Sequence, residues 1–306
     1  MAALTVRRRS LSGREARFGL AFIAPWLAGF LVFALGPMLA SLYLSFCKYD
    51  LHRLEWVGAE NYRRLLTADP LFWRALQNTV VYVAISVPLG LAGSLAIAVL
   101  LNQNVRGQRL FRTLFYLPSL VPAVASSLLW LWVLNSENGL LNYGLSLAGL
   151  PHRLCPRWLE DPVWTLPAFV LMSLWGVGGA RMVIFLAGLQ GIPESYYEAA
   201  HIDGATSWQK FWFVTIPMLS STIFFNLILG VIGSFQVFTS AYVMTSGGPG
   251  NASLFYVLYL FRNAFEYFKL GKASAMAWIL FAVLLGFTMI QFRQAHRWVH
   301  YEGGDE

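Results

Sequence analysis

The sequence predicts an all-α, polytopic membrane protein with six transmembrane helices, and three observations carry that prediction. Of its 306 residues, 57% are hydrophobic and only 12% are charged, a balance that excludes a soluble domain of this size. Apolar runs as long as a spanning helix requires, about 20 residues, recur along the chain between polar or Pro/Gly-bearing stretches. The alternating pattern of membrane strands is absent, and in lipid a helix satisfies its own backbone.

The elements follow in order. A basic segment, 1–17, carries Arg7, Arg8, Arg9, Arg14 and Arg17 and leads into a first span from Phe18 to Phe46. That run is too long for a cleaved signal sequence and reads as an uncleaved span. The next four spans are expected at Arg74 to Leu101, Leu110 to Leu134, Val163 to Ala187 and Pro217 to Met244. A sixth, Ala273 to Phe292, completes a membrane domain over 18–292 and leaves a tail, 293–306. Pro88, Pro118, Pro122 and Pro167 are expected to kink their helices.

Position of charge sets the orientation, because a bare count of the 22 Lys and Arg residues divides them almost evenly between the faces. The N-terminal arginines and the acid-free trio Arg106, Arg109 and Arg112 in the short second connection mark the cytoplasmic side. Both termini and the loop 188–217 then share that side. Residues Cys47 to Trp73 and Asn135 to Pro162, which mix acids with bases, form the outer loops. Cys47 and Cys155 fall there, where a disulfide is topologically possible.

Within 188–217, Ser195 and Glu198 fit a capping box at a helix start, Asp203-Gly204 signals a turn, and Thr206 with Gln209 opens a second helix. On one reading Glu198 caps a helix and Gly204 turns a chain. On the other, two short helices joined by a tight turn make a rigid knob that transmits force to the spans.

The stretch EAAHIDGATSWQKFWFVTIP, Glu198 to Pro217, resembles the EAA loop of bacterial ATP-binding-cassette (ABC) importer permeases. The resemblance implies that Glu198, Ala199, Ala200, Asp203, Gly204 and Ala205 form an element docking in a cleft of the ATPase, with Phe211 behind it and Pro217 opening the next span. It extends to APWLAGFLVFALGPMLASLYLSF, WVGAENYRRLL, DPLFWRALQNTV and FRTLFYLPSLVPAVASSLLWLWVLN. It continues through MTSGGPGNASLFYVLYLFRNAFEYFKLGKASAMAWILF, which is similar to permeases of the maltose, lactose and glycerol-3-phosphate type. The implied assembly is a second related permease in a heterodimer, two ABC ATPase subunits holding ATP and Mg, and an extracytoplasmic solute-binding protein, all at the bacterial inner membrane. The implied cargo is a sugar or polyol.

The chain itself is expected to bind no cofactor and to catalyse nothing. It has no GxxxxGK-Ser/Thr phosphate loop, and its five histidines lack an HExxH or paired-cysteine context, so no metal site is implied. The net charge of +7 reflects arginines beside anionic lipid rather than nucleic-acid binding. The alternative class, an ion-coupled secondary carrier, usually buries carboxylates for its coupling ion, and no Asp or Glu falls in the six predicted spans. Arg181, the one basic residue deep in a span, is expected near the cytoplasmic end of the fourth. Its side chain either snorkels to the interface or serves substrate or gating.

A solute path is expected from neutral groups. Asn226, Gly230, Gly233, Ser234 and Val237 share one face of the fifth span, with Gln236 nearby, and Ser173, Trp175 and the Gly176 to Gly179 run face them from the fourth. Such small and polar stripes serve helix packing as readily as contact with sugar hydroxyls. Trp130, Trp132 and Trp158 fit an interfacial belt. A neutral saccharide or polyol is the expected solute.

Overall fold

The computed structural model describes residues 13–50, 53–103 and 106–299. The expectations for Arg7, Arg8, Arg9 and for 300–306 lie outside the described residues. The first span is two helices, α1 (Gly13–Phe30) and α2 (Gly36–Ser45), joined by one π turn. A short antiparallel hairpin follows, β1 (Cys47–Tyr49) with β2 (Leu54–Trp56), pairing Cys47 with Trp56. Helix α3 (Glu60–Thr67) then leads to α4 (Pro70–Asn102). Asp69 starts α4 by accepting the Phe72 N–H, and Pro70 occupies the first position, where a missing N–H costs nothing. At 33 residues α4 is the longest helix described, about 50 Å at 1.5 Å per residue. Pro88 lies inside it without ending it.

The third predicted span is broken. Helix α5 (Gln108–Tyr116), a 3-10 turn at Leu117–Leu120 and α6 (Ala123–Val133) turn through 97°. Pro118 and Pro122 flank the corner, consistent with their lack of an N–H and the restricted residue before each. A short helix, α7 (Leu140–Leu147), follows in the next loop.

The fourth predicted span is also not one helix. It is α8 (Pro162–Leu174) and α9 (Ala180–Gly191), separated at 175–179. Pro167 sits inside α8, and the chain parts instead at three glycines, Gly176, Gly178 and Gly179. Beyond lie α10 (Glu194–Ile202), α11 (Ser207–Lys210) and α12 (Ile216–Met218), then the fifth span as α13 (Ser220–Phe235) with α14 (Thr239–Met244). Helix α15 (Tyr256–Phe261) occupies what reads as a connection, and α16 (Leu270–Ala295) is the last span. Among the described residues, then, four helical stretches, Phe18–Ser45, α4, Ser220–Met244 and α16, are long and apolar enough to cross a membrane, and the α5–α6 pair, bent by 97°, brings the count to five when taken as one span. The fourth predicted span corresponds to two shorter apolar helices, α8 and α9.

Helix α4 is the axis, packing on α8, α9, α13 and α15, while α16 packs on α2. Its apolar surroundings fall into two clusters. One joins Phe72, Tyr82 and Val87 to Phe169, Phe235 and Tyr256. The other joins Ala98 and Leu101 to Met182, Phe185, Leu189 and Leu219. The first span stands apart from both, with no buried residue in its most apolar stretch, and presents Phe22 and Phe33 outward.

The connection 246–256 is the least expected part of the core. Ser253, Leu254, Phe255 and Tyr256 are fully buried, although the Gly247-Gly248-Pro249 sequence reads as an ordinary turn. Irregular backbone survives at this depth only if its polar groups are paired within protein. Asn78 Nδ2 donates to the Asn251 and Leu254 carbonyls at 2.8 and 3.1 Å, and the Tyr256 N–H donates to Thr79 Oγ1 at 2.8 Å. Both cysteines are free: Cys47 is buried and Cys155 half-buried, so the disulfide left open by topology does not form.

Candidate functional site

The loop between α9 and α13 folds as a capped helix–turn–helix. Helix α10 begins behind Pro193, and no side chain caps it, so the expected Ser195–Glu198 capping box is absent. The reason is register: Pro193 holds the N-cap position and Ser195 already lies inside the helix, one residue after Glu194, so its hydroxyl is not placed to cap. At the other end the Gly204 N–H donates to the His201 carbonyl and the Ala205 N–H to the Ala200 carbonyl, at 3.0 and 2.9 Å. This pair of bonds is a Schellman closure, and it requires the left-handed φ of +75° that Gly204 adopts. Thr206 then caps α11 in a full capping box with Gln209, as the sequence predicts. Chain direction reverses within three residues, and both helix ends are satisfied.

A single tie braces the knob from behind. Tyr197 Oη and Thr215 Oγ1 are 3.0 Å apart, linking α10 to the π turn at Phe211–Thr215 that follows α11. Glu198, Ala199, Asp203 and Gly204 are exposed, and Ala200 and Ala205 half-exposed. Phe211 stacks with Trp208 and meets Trp212 edge-on. Trp208, Phe213 and Ile202 are 68%, 79% and 85% exposed, a polar knob with an apolar rim that this chain alone leaves uncovered. Between the two helices a hollow of about 220 Å³ is lined by Ala200, Asp203, Gly204, Ala205 and Phe213, among others. Pro217 lies in α12, one turn before the fifth span begins at Ser220.

A second constellation lies within the membrane, where the two helix breaks meet. A Cβ on Gly178 would run into the Phe115 backbone, and one on Gly179 would lie 2.8 Å from Ser119 Cβ. The 175–179 break therefore nests against the 3-10 corner of the third segment because glycine is there. From the other side Ser94 Oγ donates to the Val177 carbonyl at 2.7 Å, satisfying a backbone group that the break sets free. Trp175 is half-buried and meets the half-buried Trp130 edge-on. Ser173 is half-buried and donates to the Val170 carbonyl.

The fifth-span residues divide. Asn226 is 1% exposed, with Nδ2 donating to the Thr222 carbonyl, and Gly230 is buried against Val87. Ser234 is half-buried and Gln236 exposed just past the end of α13. The stripe thus packs against α4 over its first two turns and opens only near Gly233 and Ser234.

Arg181 falls in the second half of the predicted fourth span, as expected, but its side chain turns inward. It stands in the first turn of α9, and its guanidinium reaches toward α4 and α13. A Cβ on Gly90 would lie 2.8 Å from Nη1, and one on Gly230 would lie 3.2 Å from Nη2. Gly90 precedes the end of α4 by twelve residues, about 18 Å. The head group therefore packs among the apolar helices, away from the loop end of α4, and does not snorkel to it. Side chains on a helix lean toward its N-terminus, which here is away from the loop. Asn78 and Thr79, which pin the buried connection, were not singled out by sequence. Two adjacent polar residues inside an apolar span are the signal that points to them.

Residues 66–299 match the family described as binding-protein-dependent transport system inner membrane component. The chain is 43% identical over 292 residues to the probable ABC transporter permease protein YesP of Bacillus subtilis, covering 94% of this chain and 93% of that protein. It is 36% identical over 295 residues to the lactose transport system permease protein LacF of Rhizobium radiobacter, covering 95% and 98%. In fold it matches, with a TM-score of 0.81 at 22% identity and covering 93% and 96%, a chain of a bacterial alginate ABC transporter solved with an alginate pentasaccharide-bound periplasmic protein. Sequence, broken-helix core and exposed capped loop agree: the chain belongs to the binding-protein-dependent inner membrane component family, the membrane permease subunits of ABC importers.

Proposed function

We propose that this permease carries a sugar or related polyol across a bacterial inner membrane, with both termini and the 188–217 loop cytoplasmic. It pairs with a second, related permease. Two ATPase subunits holding ATP and Mg dock beneath, and an extracytoplasmic solute-binding protein delivers the cargo from above. Glu198, Ala199, Ala200, Asp203, Gly204 and Ala205 face the ATPase, and Phe211 supports them. Ser173, Trp175 and Ser234 line the path, with Gly230 and Asn226 behind them and Gln236 at its outer end.

The observation that carries this reading is the continuity from knob to break. Helix α9 runs from the glycine break straight to Gly191, and only Ile192 and Pro193 separate it from α10. ATP binding closes the ATPase pair and displaces the docked knobs, α9 follows, and the break at 175–179 opens on alternate sides. Binding sites at discontinuous helices near the midplane are the general solution for transporters, since irregular backbone there is tolerated only beside a cavity or buried in protein.

The test is reconstitution into proteoliposomes with the permease, ATPase and binding protein encoded beside it, followed by uptake of a panel of labelled sugars and polyols. Uptake requiring ATP and the binding protein is expected. Uptake by this chain alone on a proton or sodium gradient overturns the reading in favour of a secondary carrier.

A further inference from the structure

We propose that Arg181 is an anion-recognition residue, and that the solute is a saccharide or polyol carrying an anionic group rather than a neutral one. The inference rests on the importer reading above and names the substrate class of the same intramembrane site.

A charged side chain within a membrane is costly and normally finds a carboxylate or lines a polar cavity. Arg181 has no such partner among the described residues. None of the described ion pairs includes it, and no described acidic residue falls within the helices around it, α4, α8, α9 and α13. The neighbour that bears on its charge is the Tyr82 hydroxyl, itself bonded to Ser173, which is a neutral partner.

Its place on the helix sharpens the point. The first turn of α9 has no acidic residue and no side-chain cap at Gly179. A helix start carries partial positive charge and free N–H groups, so it favours anions and disfavours a cation. Arg181 thus adds a full positive charge to an end that is already positive, beside a backbone break. Two glycines keep the room around it: any side chain at Gly90 or Gly230 crowds Nη1 or Nη2. The group is half-buried, so it is not fully sealed in the packing. A planar, permanently protonated fork matches a carboxylate or phosphate bidentately. An anion that reaches the guanidinium is favoured also by the positive end of α9.

The experiment uses the complete reconstituted importer and matched solutes: a uronate-containing disaccharide against its neutral parent, and glycerol-3-phosphate against glycerol. Wild type is expected to take up at least one charged member with ATP. In Arg181→Gln the ratio of charged to neutral uptake should fall at least tenfold, and Arg181→Lys, which keeps the charge but loses the fork, should recover part of it. The carboxylate and phosphate arms distinguish which anion is read. If Arg181→Gln does not assemble, the wild-type ratio and Arg181→Lys decide. ATP-driven uptake of neutral members only, or a charged-to-neutral ratio unchanged in Arg181→Gln or unchanged in Arg181→Lys, overturns the proposal. Absence of ATP-driven uptake for every solute strikes the importer reading itself.

Discussion

Gly204 is held at φ +75° with open space where a Cβ would go, so its requirement is of the backbone and not of packing. An L-residue there costs about 1–2 kcal/mol, while Asn tolerates the conformation better. ATP-dependent uptake should therefore rank wild type, then Gly204→Asn, then Gly204→Ala. Gly204→Trp, which adds bulk at the docking face, should uncouple hydrolysis from uptake or block assembly, and wild-type uptake in it would discard the coupling role. Asn78 poses the opposite case, a side chain valued for what it pairs. Asn78→Leu leaves the Asn251 and Leu254 carbonyls buried without their donor, a cost of about 1–3 kcal/mol. The purified complex should melt several degrees lower, and an unchanged melting temperature would mean that other groups satisfy this connection. The loop residues were legible because turn chemistry is local: Gly after Asp, then Thr and Gln three apart. Asn78 was not, because its partners lie more than 170 residues away.

At the scale of elements, the span starts are tied by charge as well as by packing. Lys272 at the start of α16 meets Asp69 at the start of α4 at 2.6 Å, and Tyr259 of α15 donates to the same carboxylate at 2.8 Å. Burial pushes the Asp69 carboxyl up, but the bonds from Lys272 and Tyr259 outweigh it and leave the group below its ordinary value. Its pKa is thus lower folded than unfolded, where it is about 3.9. The stabilisation is complete above that pH and is lost as pH falls through the lower folded value. Unfolding of the complex should show no pH dependence from this tie between pH 5 and 8, where its stabilisation is complete, and a loss below about 4 that Asp69→Asn abolishes. A variant that still loses the same stability in acid would assign the transition to other carboxylates. Span positions were readable from length and composition, since burial in lipid demands both. The broken fourth span was not. Its glycines were visible in sequence, but that they receive the Phe115 backbone and Ser119 is a contact between segments.

For the whole molecule, α9 is placed as a lever between the 175–179 break and the loop. It packs along its length through Met182, Phe185, Leu186 and Leu189 against Ala98, Leu101 and Leu219, whereas Ala187 faces outward. A stiff helix carries displacement along its axis; a proline in its interior removes a hydrogen bond, kinks it and costs about 3 kcal/mol. Ala187→Pro should therefore interrupt transmission while leaving both the knob and the break intact. In the reconstituted importer it is expected to keep co-purifying with the ATPase and to keep hydrolysing ATP, while uptake falls at least tenfold. Ala187→Ser, which preserves the helix, should transport normally. If the proline variant transports as well as the serine variant while its ATPase remains bound, force reaches the intramembrane site by some route other than α9. The remaining continuous link from the loop is α12 into α13, against which α9 packs at Gly188, where a Cβ would collide with Leu219 and Thr222. A proline at exposed Phe225 would then produce the uncoupling that Ala187→Pro did not.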